Sequence, residues 1–405
     1  MDPISWDRAR ELAVGCVQPL PTVVAPLVEA AAGAVLAEPL RAITDLPAFD
    51  VAATDGWALA GPGPWQVRGS RRRDLLASHH YHDSAGDVPL QDGEAAPVNS
   101  GDPVGSDVTA VAAASRCRVH DDRLSLLDPD GTSNTKITLG SGIRSRAADA
   151  FAGQELLPAG TVLTPAAVAL AALAGHDELE VIPPPPVLVV RVGDELVDFG
   201  SARNGLGRDA VAPALPGWLA ALGAQCHPGK WVRQGDAELI DQMEDSTAAA
   251  IITAGPFSGT AVRRVLAGMD AEIVVDGVSC RPGGSMLLAL LPDGRPLVHC
   301  GSGTAADALA AVVTLIAPLV EGLSGRPSTP VERRLDQTVR GSRDTTWLIP
   351  VAATAPDSPG VEPVLPGGPG GMAAWAQASH VAVIPPGGIT RHRRITLLPV
   401  PCTLH

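Results

Sequence analysis

Lysine is almost missing from this 405-residue chain, which carries only Lys136 and Lys230. Any anion held here must therefore be met by arginine, by backbone amides or by helix N-termini. Aromatic residues are scarce as well, with one Tyr, four Phe and seven Trp, so the cores must be built from Ala, Val, Leu and Ile. The six cysteines form no C-x-x-C pair, which gives no zinc signature and fits free thiols in a reducing cytosol. No apolar run reaches ~18 residues without a polar residue or a proline, so no membrane span is expected. The acidic, amphipathic N-terminus does not read as a signal peptide. A net charge of −14 argues against nucleic acid or an anionic membrane as a general partner. Arg71-Arg72-Arg73 does not reverse this, being short and followed by Asp74. The expectation is a cytoplasmic protein.

What is present points to several domains, because 405 residues exceed one core. Ser5 is an N-cap candidate for a helix over "SWDRARELAVGCV", and "APLVEAAAGAVLAEPL" reads as a second helix. From residue 46 the pattern turns to short alternating runs separated by Gly, Asp, Asn and Ser, a small β domain. A helix is expected from Pro165, capped by Thr164 and stopped at Gly175. Pro183 to Pro186 form a stiff linker. Beyond it strands and helices alternate to about residue 327, beginning with the buried parallel-type strand "VLVVRV", an α/β signature. The remainder returns to short strands and Gly-Pro turns, a small β barrel.

In an open parallel sheet, ligands gather at the carboxyl ends of the strands. Asp194 and Glu195 fall at such an end, where carboxylates can hold a cation, orient a hydroxyl or transfer a proton. A helix cap and a solvated acid would account for them equally well. Gly255, Ser258, Gly259 and Thr260 form one strand-to-helix turn, and Gly301, Ser302, Gly303 and Thr304 a second. Amides and hydroxyls at such turns cradle anions. The His79-to-Asp83 run "HHYHD" reads as a surface loop, for want of a distant metal ligand. Cys300 beside His299 is a poor nucleophile pair, since neighbours in a strand face opposite ways.

The stretch "LPAFDVAATDGWALAG" raises a sharper possibility. Pro47, Phe49 and Asp50, followed by Ala53-Thr54-Asp55-Gly56-Trp57-Ala58, resemble the Pro-Phe-Asp and Ala-Met-Asp-Gly-Tyr-Ala segments of the MoeA family, which includes the E domain of gephyrin. Ser100 and Asp107 in "VNSGDPVGSDVTAV", Arg144 and Asp149 in the block that follows, and Glu195 in "VGDEL" match further family segments in the same order, and the matches reach "HVAVIPPG" near residue 387. The resemblance implies insertion of molybdate into adenylylated molybdopterin, with Mg²⁺ and in a homodimer. It implies a multidomain fold of α/β plus β elements. That fold comprises a helical domain (1–45 and 147–182), an inserted β domain (46–146), an α/β molybdopterin-binding domain (183–327) and a C-terminal β barrel (328–405). It makes Glu195, Asp149 and Asp55 catalytic, with Glu195 and Asp149 the metal or molybdate ligands. Ser100, Asp194, Arg281 and the two turns would bind substrate, and the Asp55 turn would close the site with its aromatic neighbours bracing the backbone.

The departures cluster on one crevice. The Gly-Gly-Val-Ser-x-Gly-x-x-Asp turn reads Ala254 to Val262, with Pro256 deleting an amide donor and the closing Asp missing. Lys-Pro-Gly-Lys-Pro reads Arg281-Pro282-Gly283-Gly284-Ser285, and Leu-Pro-Gly-Asn-Pro reads His299-Cys300-Gly301-Ser302-Gly303. Three readings follow: a divergent molybdopterin molybdenumtransferase, a catalytically reduced paralogue serving as a dimeric binding or scaffold protein with a protein partner, and an enzyme for another nucleotide or pterin.

Overall fold

Ser5 starts the first helix as its sequence predicts: its hydroxyl accepts a hydrogen bond from the Arg8 amide, and α1 runs Trp6–Gly15. Trp6, Ala9 and Ala13 are buried along one face, the spacing of an amphipathic helix. The computed structural model describes residues 2–28, 33–68, 89–128, 133–134, 136–202, 205–233, 236–255, 259–301, 304–326, 331–354, 360–364 and 372–401. The chain divides into two compact units, one of residues 1–38, 159–165 and 178–405, the other of 39–158 and 166–177. His79–Asp83 lies outside the described residues.

The helix expected over 25–40 is not formed by the described residues. Val23–Pro26 and Val35–Leu36 are instead strands that flank Glu178–Ile182, both antiparallel to it. The alanine run favours helix, but Pro26 cannot donate inside one, and Gly33 takes φ 98°. Pairing with Glu178–Ile182 overrides the local propensity.

In the second unit, seven strands between Gly56 and Asn134 form one sheet. Gly56–Leu59 sits between Glu94–Val98 and Ala110–Ala113. Residue 56 has to be glycine, because a Cβ there would lie 2.0 Å from the Ala112 carbonyl oxygen. The helix α2, Pro165–Leu173, follows later in the chain and buries Ala167 and Ala171.

Six strands make the α/β sheet of the first unit. They are β1 (Pro186–Arg191), β2 (Gln225–Pro228), β3 (Ala250–Ala254), β4 (Glu272–Asp276), β5 (Leu287–Leu290) and β6 (Pro296–His299), in the spatial order β2-β1-β3-β6-β5-β4. The first four positions are mutually parallel, whereas β5 pairs antiparallel with β6 and β4. Both faces are covered, which is why β1 reads as an unbroken apolar run. Val187 and Val189 enter one core, and Leu188 and Val190 the other. The helices α3 (Leu215–Ala221), α4 (Asp236–Glu244) and α5 (Gly259–Gly268) come from the connections.

The segment Ala305–Ser324 is long and apolar enough to cross a membrane by length and composition, yet it is mostly buried inside the unit. Its middle, Val312–Ile316, is a π-helical turn between α6 (Ala305–Ala311) and α7 (Ala317–Ser324). Pro318 explains the turn. The Ala317 amide reaches back to the Val312 carbonyl, so the Val313 carbonyl would need a donor from Pro318, which has no N–H. The Arg10 guanidinium fills that vacancy by donating to the Val313 oxygen, and the Trp6 indole donates to the Thr314 hydroxyl at 3.0 Å. Burial pushes the Arg10 pKa down, with Glu321 and Asp7 opposing the shift. Arg10→Ala is expected to leave that carbonyl unpaired and to cost about 2–3 kcal/mol, read as a lower urea midpoint at unchanged slope.

Past α7, five strands close on themselves: Thr346–Ala353, Gly360–Pro363, Val331–Leu335, Arg394–Pro399 and His380–Ile384, the last returning to the first. This is the small barrel that the sequence suggests. Leu335, Val351, Val361, Ala382, Ile384, Ile395 and Leu397 fill it. Cys280–Arg281 adds a parallel strand outside.

Candidate functional site

Three strand ends carry the candidate groups of the α/β sheet. After β1, Val192 bridges to Val232 and Gly193 turns the chain at φ 108°. Asp194 and Glu195 follow, both exposed. The Glu195 carbonyl accepts the Gly207 amide at 2.9 Å, which pins the backbone while the side chain stays in solvent. Trp231 donates its indole N–H to the Gly193 carbonyl at 2.8 Å. The guanidinium carbons of Arg191 and Arg233 lie 4.7 and 4.0 Å from the Trp231 ring centroid. Sequence reading missed this cluster. Its one local signal is the rare Trp in "KWVR".

After β3, Gly255 adopts φ 147° and packs against Val192, whose amide donates to the Ala254 carbonyl at 2.9 Å. Ser258 lies outside the described residues, and Gly259 and Thr260 open α5. After β6, Gly301 takes φ 86°, and a Cβ there would lie 2.7 Å from the Ser285 hydroxyl. Ser302 and Gly303 also lie outside the described residues. Thr304 caps α6: its hydroxyl accepts the Asp307 amide at 3.1 Å and donates to Asp307 Oδ2 at 2.6 Å. Asp307 Oδ1 also takes the Gly283 amide at 2.8 Å. The cap therefore occupies the hydroxyl expected to meet a ligand. Arg281 is exposed and belongs to the strand added to the barrel.

Residues expected from the other unit are built into its loops. Asp55 Oδ1 accepts the Ser100 amide at 2.8 Å, and Asp50 Oδ1 accepts the Arg146 amide at 2.7 Å. These carboxylates brace the backbone where aromatic bracing was expected, and Phe49 is half exposed at 51%. Asp149 is ion-paired with Arg144. Among the described residues no three His, Cys, Asp or Glu side chains gather into a metal-sized cluster. With Asp149 facing a guanidinium and no third acid gathered with Asp194 and Glu195 among the described residues, the described carboxylates do not by themselves build a Mg²⁺ site.

A model of the MoeA N-terminal region (domains I and II) matches residues 4–175. A molybdopterin molybdenumtransferase of Synechococcus elongatus is 26% identical over 351 residues, covering 83% of this chain and 85% of that protein. One from Staphylococcus aureus is 24% identical, covering 80% and 77%. Two structures of the molybdopterin biosynthesis MoeA protein of Pyrococcus horikoshii align over 98% of this chain, and over 99% and 100% of theirs. Their TM-scores are 0.68 and 0.69, at 19% and 17% identity. Over residues 4–175 the chain is similar to the MoeA N-terminal region, and its fold is that of the MoeA structures.

The crevice of the α/β sheet departs from the MoeA pattern that the sequence resembles. Asp236, retained at the start of α4, is clasped by Arg264 through two bonds of 2.6 and 2.8 Å, and this hydrogen bonding lowers its pKa. His299 and Cys300 lie in opposite cores, as strand alternation requires. The Cys300 thiol is pushed up to about 12 by burial. His299 bonds Thr253 Oγ1 through Nδ1 at 3.0 Å, while its Nε2 is buried with no partner among the described residues. Burial, reinforced by Arg263, lowers its pKa from 6.5 to about 4.

That depression makes a pH prediction. Between pH 6.5 and 4 the unfolded imidazole binds a proton that the folded one refuses. Its contribution is complete above 6.5 and is lost as pH falls toward 4, amounting to about 3 kcal/mol. His299→Leu should flatten this acid limb, checked by urea midpoints at pH 7 and 4.5. An unchanged limb would show that other groups set it.

Proposed function

We propose that this chain is a molybdopterin molybdenumtransferase, inserting molybdate into adenylylated molybdopterin with release of AMP. The observation that carries the reading is a likeness running nearly end to end, with relatives of that name covering four fifths of the chain. The Gly193-Asp194-Glu195 turn supports it, being a carboxylate held on a pinned backbone at the carboxyl end of β1.

In this reading the exposed Glu195 carboxylate, with Asp194 beside it, orients the reacting phosphoanhydride and molybdate. The turns at Gly255–Thr260 and Gly301–Thr304 supply backbone donors to phosphate oxygens. The Thr304 hydroxyl keeps its capping role, and Arg281 adds positive charge. In the same reading the working form is a homodimer. The protein would hold Mg²⁺ only in part, with Glu195 offering one carboxylate. Cytoplasmic location follows from the same reading.

The test is AMP release from adenylylated molybdopterin by the purified chain, with and without molybdate. Release that requires molybdate supports the transferase. A folded protein that releases none would overturn it and leave the scaffold reading.

A further inference from the structure

We propose that Arg191 and Arg233, stacked on Trp231, form an anion-holding edge beside the Gly193–Glu195 turn that takes a phosphate or phosphoanhydride group. Three observations converge on it. The first is position. Arg191 ends β1 directly before the turn, and Trp231 is tied to that turn through the Gly193 carbonyl at 2.8 Å. The segment carrying Trp231 and Arg233 is itself fixed, because the Val232 amide donates to the Arg191 carbonyl at 2.8 Å and Val232 is buried.

The second is unbalanced charge. Both guanidiniums lie over one ring, so the two charges are within about 9 Å, close to the ~8 Å screening length at physiological salt. Among the described residues no carboxylate pairs with the exposed Arg233. Arg191 is ion-paired with Asp209 Oδ2 at 3.9 Å, so the unbalanced charge of the pair rests on Arg233, which presents it to solvent in a chain of net charge −14.

The third is geometry. A guanidinium stacked on a ring keeps its in-plane N–H donors for the fork that matches phosphate oxygens, and among the described residues no carboxylate takes those of Arg233. With lysine nearly absent from the chain, this pair supplies the cation that Gly284 cannot. Which phosphate it holds rests on the transferase reading, whereas anion binding itself does not.

Calorimetric titration of the protein with AMP, inorganic pyrophosphate and adenosine tests the proposal. AMP and pyrophosphate should bind, more weakly as salt rises, and adenosine should bind at least tenfold more weakly. Arg233→Gln and Trp231→Leu should each weaken both anions about tenfold. Arg233→Lys should recover part of the loss, and Arg333→Gln, on an exposed position of the barrel, should change nothing. No binding of either anion by the wild-type protein, or equal binding by Arg233→Gln and a folded Trp231→Leu protein, overturns the proposal. Anion binding that depends on Arg233, in a protein releasing no AMP from adenylylated molybdopterin, would keep this site and reject the transferase.

Discussion

Exchanging Glu195 for Gln is expected to lower molybdate-dependent AMP release by about 100-fold or more, with the fold undisturbed. The carboxylate is exposed, and among the described residues it holds no hydrogen-bond or ion-pair partner. What fixes the residue is its backbone, through the Gly207 amide at 2.9 Å and the adjacent Gly193 turn. Gln keeps the size and that backbone bond, so the change removes charge and proton-accepting power alone. Initial rates of AMP release, beside thermal melting curves, separate the two effects. A rate within about threefold of wild type, from a protein with unchanged melting, would remove Glu195 from the reaction.

Gly255→Ala should be the most damaging single methyl that can be added to this crevice. Gly255 sits at φ 147°, and a Cβ would stand 1.9 Å from the Val192 carbonyl oxygen. That oxygen cannot swing aside, because Val192 is bonded to Ala254 and bridged to Val232. Separation of β1 from β3, or strain at a forbidden backbone angle, is then forced, at a cost above about 4 kcal/mol. Gly268 is the internal comparison: a Cβ there meets nothing within 4 Å, so Gly268→Ala should be neutral or mildly stabilising. Soluble yield and urea midpoints of the two variants decide the matter. Equal midpoints would show that the β1–β3 junction yields more easily than its bonds suggest.

Much of this architecture was legible in the residues. Ser5 announced α1, and the apolar run of β1 announced a sheet covered on both faces. The Gly-Pro turns after residue 328 announced the barrel. Where local rules failed, a distant partner had decided the outcome. The helix expected over 25–40 lost to pairing with Glu178–Ile182, some 150 positions away. The antiparallel β5–β6 pair inside a mostly parallel sheet escaped notice because both strands are as apolar as their parallel neighbours. The candidate site was legible where one segment holds it, as at Gly193–Glu195. It was illegible where segments meet: Arg191 and Trp231 are forty residues apart in sequence, and Asp307 claims the Thr304 hydroxyl through a cap that spacing alone does not distinguish from a ligand contact.

The bond between Trp6 and Thr314 sets an order of events during synthesis. The face of α1 that carries Trp6, Ala9 and Ala13 finds part of its cover in residues 313–323, and Leu20 is bonded to the Leu323 carbonyl at 2.8 Å. Translation must therefore run about three hundred residues past α1 before its apolar stripe can be fully buried. At ~5–20 residues per second that is tens of seconds of exposure. Over that interval the stripe of α1 is open to capture by a chaperone.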